Sequence, residues 1–259
     1  MKSILIILLT FFMNLPSSWQ QHNIDLIRSA IPKQLPVKRA GVDSSGSIRI
    51  INGSSLKRLP NVIRDLSLAL RESPFHEGLL LDEIGFSIYL YDVTCNSSEI
   101  SAAIMYKAND TVYDLKLSRF NQMATDKALA TTLIHEIMHC VLLDISKRIR
   151  SDDKQTFANI ISSGLNKNID PSFSNYDFLF MMNSANDGQH ELMYRFFFPH
   201  MVSLLESFSK IHKQGFFDPA DAEILMWSGL QKTSGYKKLS DDEKIEIEST
   251  ILEAKGINK

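Results

Sequence analysis

The chain has 259 residues, with 28 Lys and Arg against 30 Asp and Glu and a formal net charge of −2. That length buries a substantial core and permits one large domain or two small ones. The near-neutral balance argues against a nucleic-acid partner.

The amino terminus carries Lys2, an apolar run over residues 4–13, then Leu15, Pro16, Ser17 and Ser18. A positive start, a short apolar stretch and small residues fit a signal peptide over residues 1–18. The run is too short to span a bilayer comfortably, and no cysteine follows it closely enough for a lipid anchor. Later apolar runs are broken by charge, Gly or Pro. The mature chain, 19–259, is therefore expected to be secreted or periplasmic, without a stable membrane anchor. Residues 19–36 serve either as a structural N-terminus or as a short inhibitory piece.

Upstream of residue 124 the pattern alternates. Strands are expected at 47–51, 86–92, 100–107 and 111–117, with a helix at 61–71 and a turn at Asn109 and Asp110. Asn52, Asn96 and Asn109 each open an N-x-Ser/Thr triplet, a glycan acceptor in a eukaryotic host and only a surface turn in a bacterial one.

The segment 125–144 reads as an uninterrupted helix, with Thr125 as N-cap and Asp126 in its first turn. Leu129, Leu133, Ile137 and Val141 repeat every four residues as a buried stripe, while His135, His139 and Leu142 share the neighbouring face. His135, Glu136, Ile137, Met138 and His139 form an HExxH pentad. Two imidazoles at i and i+4 grip one zinc ion, and the glutamate stands beside it as a general base. A His–Glu pair in so apolar a segment is costly to bury without a strong partner such as a metal. Cys140 follows His139 but points about 100° away, toward the packed side. It either pairs with Cys95 in a disulfide or the two remain buried thiols.

On this pentad the chain resembles the zincin metallopeptidases, whose defining motif is HExxH. The resemblance implies that His135 and His139 bind zinc and that Glu136 polarises the attacking water. It implies an α+β, zincin-like fold: a small mixed or antiparallel sheet, an active-site helix, and a mainly helical C-terminal lobe. The α/β lobe is placed at 19–144 and the helical lobe at 145–259, within a single catalytic domain. By the same resemblance, residues 111–117 are either an edge strand that pairs with an extended peptide or part of an ordinary interior hairpin.

A catalytic zinc needs a third protein ligand. Leu142 and Ile145 occupy positions where the extended metzincin motif needs Gly and His, so that solution is excluded. His190, at the expected start of a helix after the turn Asn186–Gly188, is the preferred ligand, with Glu191 as the alternative. His76, His200 and His212 are weaker candidates, and His22, close to the mature N-terminus, reads as solvated. Tyr194, one turn after His190, either stabilises an oxyanion or packs in the core.

Downstream of the pentad, helices are expected at 154–163, 189–211, 219–230 and 241–254, the last opened by a Ser240–Glu243 capping box. Residues 166–188 show no clear period and read as a long loop beside the site. The functional expectation is an exported zinc-dependent peptidase acting on peptide or protein substrates. A zinc-stabilised binding module and a zinc amide hydrolase of cell-wall material are the alternatives.

Overall fold

A computed structural model describes residues 49–52, 56–72, 87–93, 102–106, 112–118, 124–151, 156–165, 170, 172–212 and 220–256. The leader, Cys95, Asn96, Asn109, His22 and His76 lie outside the described residues. Internal contacts divide the chain after Asp43, and everything described belongs to the unit Ser44–Lys259.

Four short segments pair through their backbones: β1 (Arg49–Asn52), β2 (Ser87–Val93), β3 (Ala102–Tyr106) and β4 (Val112–Ser118), in the order β1-β2-β4-β3. β2 lies parallel to β1 and to β4, whereas β3 runs antiparallel to β4. β4 is thus flanked on both sides. Of the two readings of residues 111–117, the edge strand is corrected, since the backbone of β4 is already engaged with two neighbours.

The α+β, zincin-like class is corrected as well. Every side chain described as buried lies on a helix or in a turn beside one, and the packed body that carries the candidate site is helix on helix. The resemblance and the alternation of the upstream segments point to that class, whereas the described apolar mass sits in i, i+3, i+4 rows on helices.

The first helix, α1 (Leu59–Glu72), takes Pro60 in its first turn, where a missing N–H leaves no bond unmade. It buries Leu59, Val62, Ile63, Leu66, Ala69 and Leu70 on one face. The central helix, α2 (Asp126–Ser151), runs seven residues past its expected end. Thr125 Oγ accepts the Ala128 N–H at 3.3 Å and opens it, and an Arg148–Asp144 pair at 2.9 Å lies in the added turns. Leu129, Leu133, Ile137 and Val141 are buried, and so are Ile134, Met138, Cys140 and Leu142, so burial wraps round most of the helix. By length and composition α2 is apolar enough to cross a membrane, which corrects the expectation that no later segment is. Most of it is buried within the protein, as a core helix would be.

Beyond α2 come α3 (Phe157–Leu165), α4 (Asn175–Asn183) and α5 (Ala185–Leu192). The expected loop at 166–188 is corrected by α4 and the start of α5. Ser174 and Asp177 form a reciprocal capping box that opens α4. Its run of Phe178, Leu179, Phe180, Met181 and Met182 is apolar nearly all round, which hides the helical period although Phe178 and Met182 alone of the five are buried at i and i+4. Asn186, Asp187 and Gly188 stand in the first turns of α5 and do not form the expected turn. Gly188 is required there, because a Cβ would meet the Met181 carbonyl oxygen at 2.1 Å.

The expected helix 189–211 is interrupted by a π-helical turn (Met193–Phe197) before α6 (Phe198–Ile211). Pro199 falls in the first turn of α6, so the widened turn absorbs the donor that proline lacks. The chain closes with α7 (Ala220–Met226), α8 (Ser234–Lys237) and α9 (Asp241–Ala254), the last opened by the expected Ser240–Glu243 capping box. Phe157 stacks on Phe178 with ring centroids 4.4 Å apart and meets Phe196 edge-on at 4.9 Å, while Phe198 packs on Trp227 at 4.4 Å. These two aromatic groups lock the π-turn in place from both sides.

Candidate metal centre

His135 and His139 project from one face of α2, because four residues turn a helix through slightly more than one revolution. His190 comes from α5. The three imidazole centroids stand 5.0, 5.0 and 5.1 Å apart, a nearly equilateral triangle. One nitrogen from each ring lies within 4.8 Å of the other two, so the three residues can hold a metal ion.

His135 Nε2 and His190 Nε2 face each other at 3.2 Å. Two nitrogens about 2.0–2.1 Å from a tetrahedral zinc stand about 3.3 Å apart, so this pair already has the spacing of two ligands. His135 is 8% exposed and its Nδ1 has no hydrogen-bond partner among the described residues. His139 Nδ1 meets Gln189 Oε1 at 2.8 Å, which leaves its Nε2 for the centre of the triangle.

The electrostatics suit a cation. Burial, together with the positive charge His139 and His190 would carry, holds His135 well below the ordinary histidine pKa. Burial and His190 lower His139 to about 4, against a smaller upward pull from Gln189. His190 is lowered too, chiefly by burial. All three rings are neutral at pH 7 and present lone pairs, as metal ligands must. Glu136 is 8% exposed, and burial pushes its carboxyl up to about 8.

The remaining expected residues fall elsewhere. Glu191, the alternative ligand, is corrected: its carboxylate accepts from the Ser234 backbone at 2.7 Å and from Arg195 at 2.7 Å, tying α5 to the start of α8. The half-buried ring of Tyr194 stacks near Trp227 at 5.6 Å and lies over Gly235, whose added Cβ would meet the ring carbon bearing the hydroxyl at 2.1 Å. Those are packing contacts. His212 is held between Asp65 and Asp126, and His200 lies on α6. Cys140 is a buried free thiol rather than half of a disulfide, and burial with the Glu136 charge raises its pKa well above the ordinary thiol value. A surface hollow lined by Asp170, Phe173, Asp177 and Arg195 contains none of the three histidines, and the donor set rather than the hollow marks the site.

Two residues at the centre carried no clear sequence signal. Gln189 was hidden as one more polar residue beside His190. Gly229 has φ +88°, and a Cβ there would come within 2.7 Å of His135 Cε1, so the backbone after α7 forms one wall of the imidazole. A glycine a few residues past a short helix is a signal only for a turn.

No protein-family model, curated protein or solved structure matches this chain.

Proposed function

We propose that the chain is an exported zinc-dependent peptidase, with His135, His139 and His190 as ligands and Glu136 as the general base. The observation that carries this reading is the triangle of three neutral imidazoles with one Nε2 pair already at 3.2 Å, next in sequence to a buried carboxylate. Three nitrogen ligands are the number a catalytic zinc takes when it keeps one position open. When bound, the cation supplies Lewis-acid polarisation of a carbonyl and acidifies a water.

The rest is the work of this chain's side chains. Glu136 takes a proton from the attacking water and passes it to the departing amine. Burial lends it an affinity for protons that a surface glutamate lacks, and a nearby cation shifts the balance back toward the carboxylate. The apolar flanks of α2 hold the two histidines in one rotameric frame, so the ligand set needs little rearrangement to close.

Elemental analysis of the purified protein should give one zinc per chain. Glu136→Gln should keep that zinc and lower peptide cleavage by about 10²–10⁴-fold. A chain with no metal, or a Glu136→Gln variant with undiminished turnover, overturns the reading. Full metal content with no cleavage of a peptide library would instead assign a zinc-stabilised binding module.

A further inference from the structure

We infer that Gln189 is a positioning residue that fixes His139 as the Nδ1-protonated tautomer and turns its Nε2 lone pair toward the triangle. The inference rests on the metal-site reading for its purpose, though not for its geometry. His139 Nδ1 and Gln189 Oε1 are 2.8 Å apart. An amide oxygen only accepts, so the ring nitrogen facing it must carry the proton. The orientation of the amide is set from its other end, where Gln189 Nε2 donates to the Met182 carbonyl at 3.5 Å. Reversing the amide would put oxygen against oxygen at Met182 and NH₂ against the ring.

Gly188, Gln189 and His190 therefore act as consecutive parts of one device on α5. Gly188 lets the helix settle against the last turn of α4, where a side chain would strike the Met181 carbonyl. That approach brings the Gln189 amide to the next carbonyl, of Met182. Gln189 then orients a ligand that belongs to α2, and His190 supplies a ligand of its own. The partner of a ligating histidine is commonly a carboxylate or a backbone carbonyl. Glutamine supplies the same acceptor without a charge, so the centre gains no second anion beside Glu136.

The tautomer is readable without any metal. In ¹⁵N-resolved NMR of the metal-free wild-type protein at neutral pH, His139 should show a protonated Nδ1 and an unprotonated Nε2. Gln189→Leu should lose that preference and weaken zinc binding, read by chelator competition, by about 10–100-fold. Gln189→Glu restores the acceptor and should restore both readouts. An Nε2-protonated His139 in the wild type overturns the inference, as does a Gln189→Leu protein with unchanged tautomer and affinity. The wild-type spectrum decides even where Gln189→Leu fails to fold. Should the tautomer follow Gln189 while no zinc binds, the positioning role stands and the peptidase reading falls. The reverse outcome separates them the other way.

Discussion

A single buried histidine and a cluster of three, one buried and two half-buried, stand in opposite surroundings. At the carboxyl end of α6, His212 is 4% exposed and both its ring nitrogens meet carboxylates, Nδ1 to Asp65 at 2.7 Å and Nε2 to Asp126 at 3.0 Å. Each ring nitrogen thus faces a carboxylate, an acceptor, at the end of α6. Arg64 pairs with Asp65 and Arg58 with Asp126, while Phe208 stacks on the ring at 4.8 Å. This network joins α1, the start of α2 and the end of α6. Its members already hold one another, Asp126 Oδ1 through an ion pair with Arg58 at 3.4 Å rather than through a hydrogen bond among the described residues.

The triangle of His135, His139 and His190 has the reverse character. Its rings are uncharged, one buried nitrogen has no partner among the described residues, and two nitrogens confront each other. A site that is incomplete on its own awaits a group from outside, whereas a completed one is structure. The contrast teaches that a buried histidine is read by what remains unmet around it, not by its burial.

The largest effect expected of that contrast is at the completed site. His212→Leu takes the shared partner from the buried Asp65 and the partly buried Asp126 and should cost about 3–5 kcal/mol in denaturant unfolding. A loss under about 1 kcal/mol would mean the network is ornamental. Next comes zinc itself. Added to metal-free protein at 100 times its Kd, it should stabilise the fold by about 2.7 kcal/mol, visible as a raised Tm, and His190→Ala should abolish the gain. An unchanged gain would remove His190 from the ligand set.

Smaller again is Gly229→Ala. It forces a side chain into a left-handed backbone and against His135, costing about 1–3 kcal/mol and weakening zinc binding along with it. Loss of stability with full metal affinity would show that the wall does not set the ring.

The finest discrimination is in pH. Burial opposes the ionisation of Asp65, but hydrogen bonds from Arg64 and His212 outweigh it and hold the carboxyl below its ordinary 3.8. Its contribution is present above that value and lost as pH falls through the lowered one, so Asp65→Asn should flatten the acid limb of the stability curve. Glu136 in the metal-free protein has the opposite sign. Raised from 4.5 to about 8, it contributes fully below 4.5 and loses that contribution as pH rises through about 8, so Glu136→Gln should flatten the alkaline side of the curve. Equal slopes in wild type and variant would contradict the environment assigned to either carboxyl.

The legibility of the chain was uneven for physical reasons. His135 and His139 follow from helical spacing alone, as does the stripe Leu129, Leu133, Ile137 and Val141, because a helix converts sequence distance directly into angle. The Ser240–Glu243 cap is equally local. α4 was not legible, because an apolar run with little polar contrast shows no period, and the π-turn before Pro199 arises where packed aromatic groups meet the missing donor. The strand at 111–117 could be proposed from alternation, but its place between β2 and β3 depends on partners elsewhere in the chain.

The amino-acid order by itself determined which side chains share a turn: the paired imidazoles of α2, the glutamate between them, and the end signals of the helices. Only the tertiary structure decided that α5 delivers His190 to them, sends Glu191 to Ser234, sets Gln189 against His139 and lets Gly229 wall off His135. Covalent spacing fixes angles within one helix. The meeting of two helices is set by the burial of faces that lie some fifty residues apart, and no local pattern encodes it.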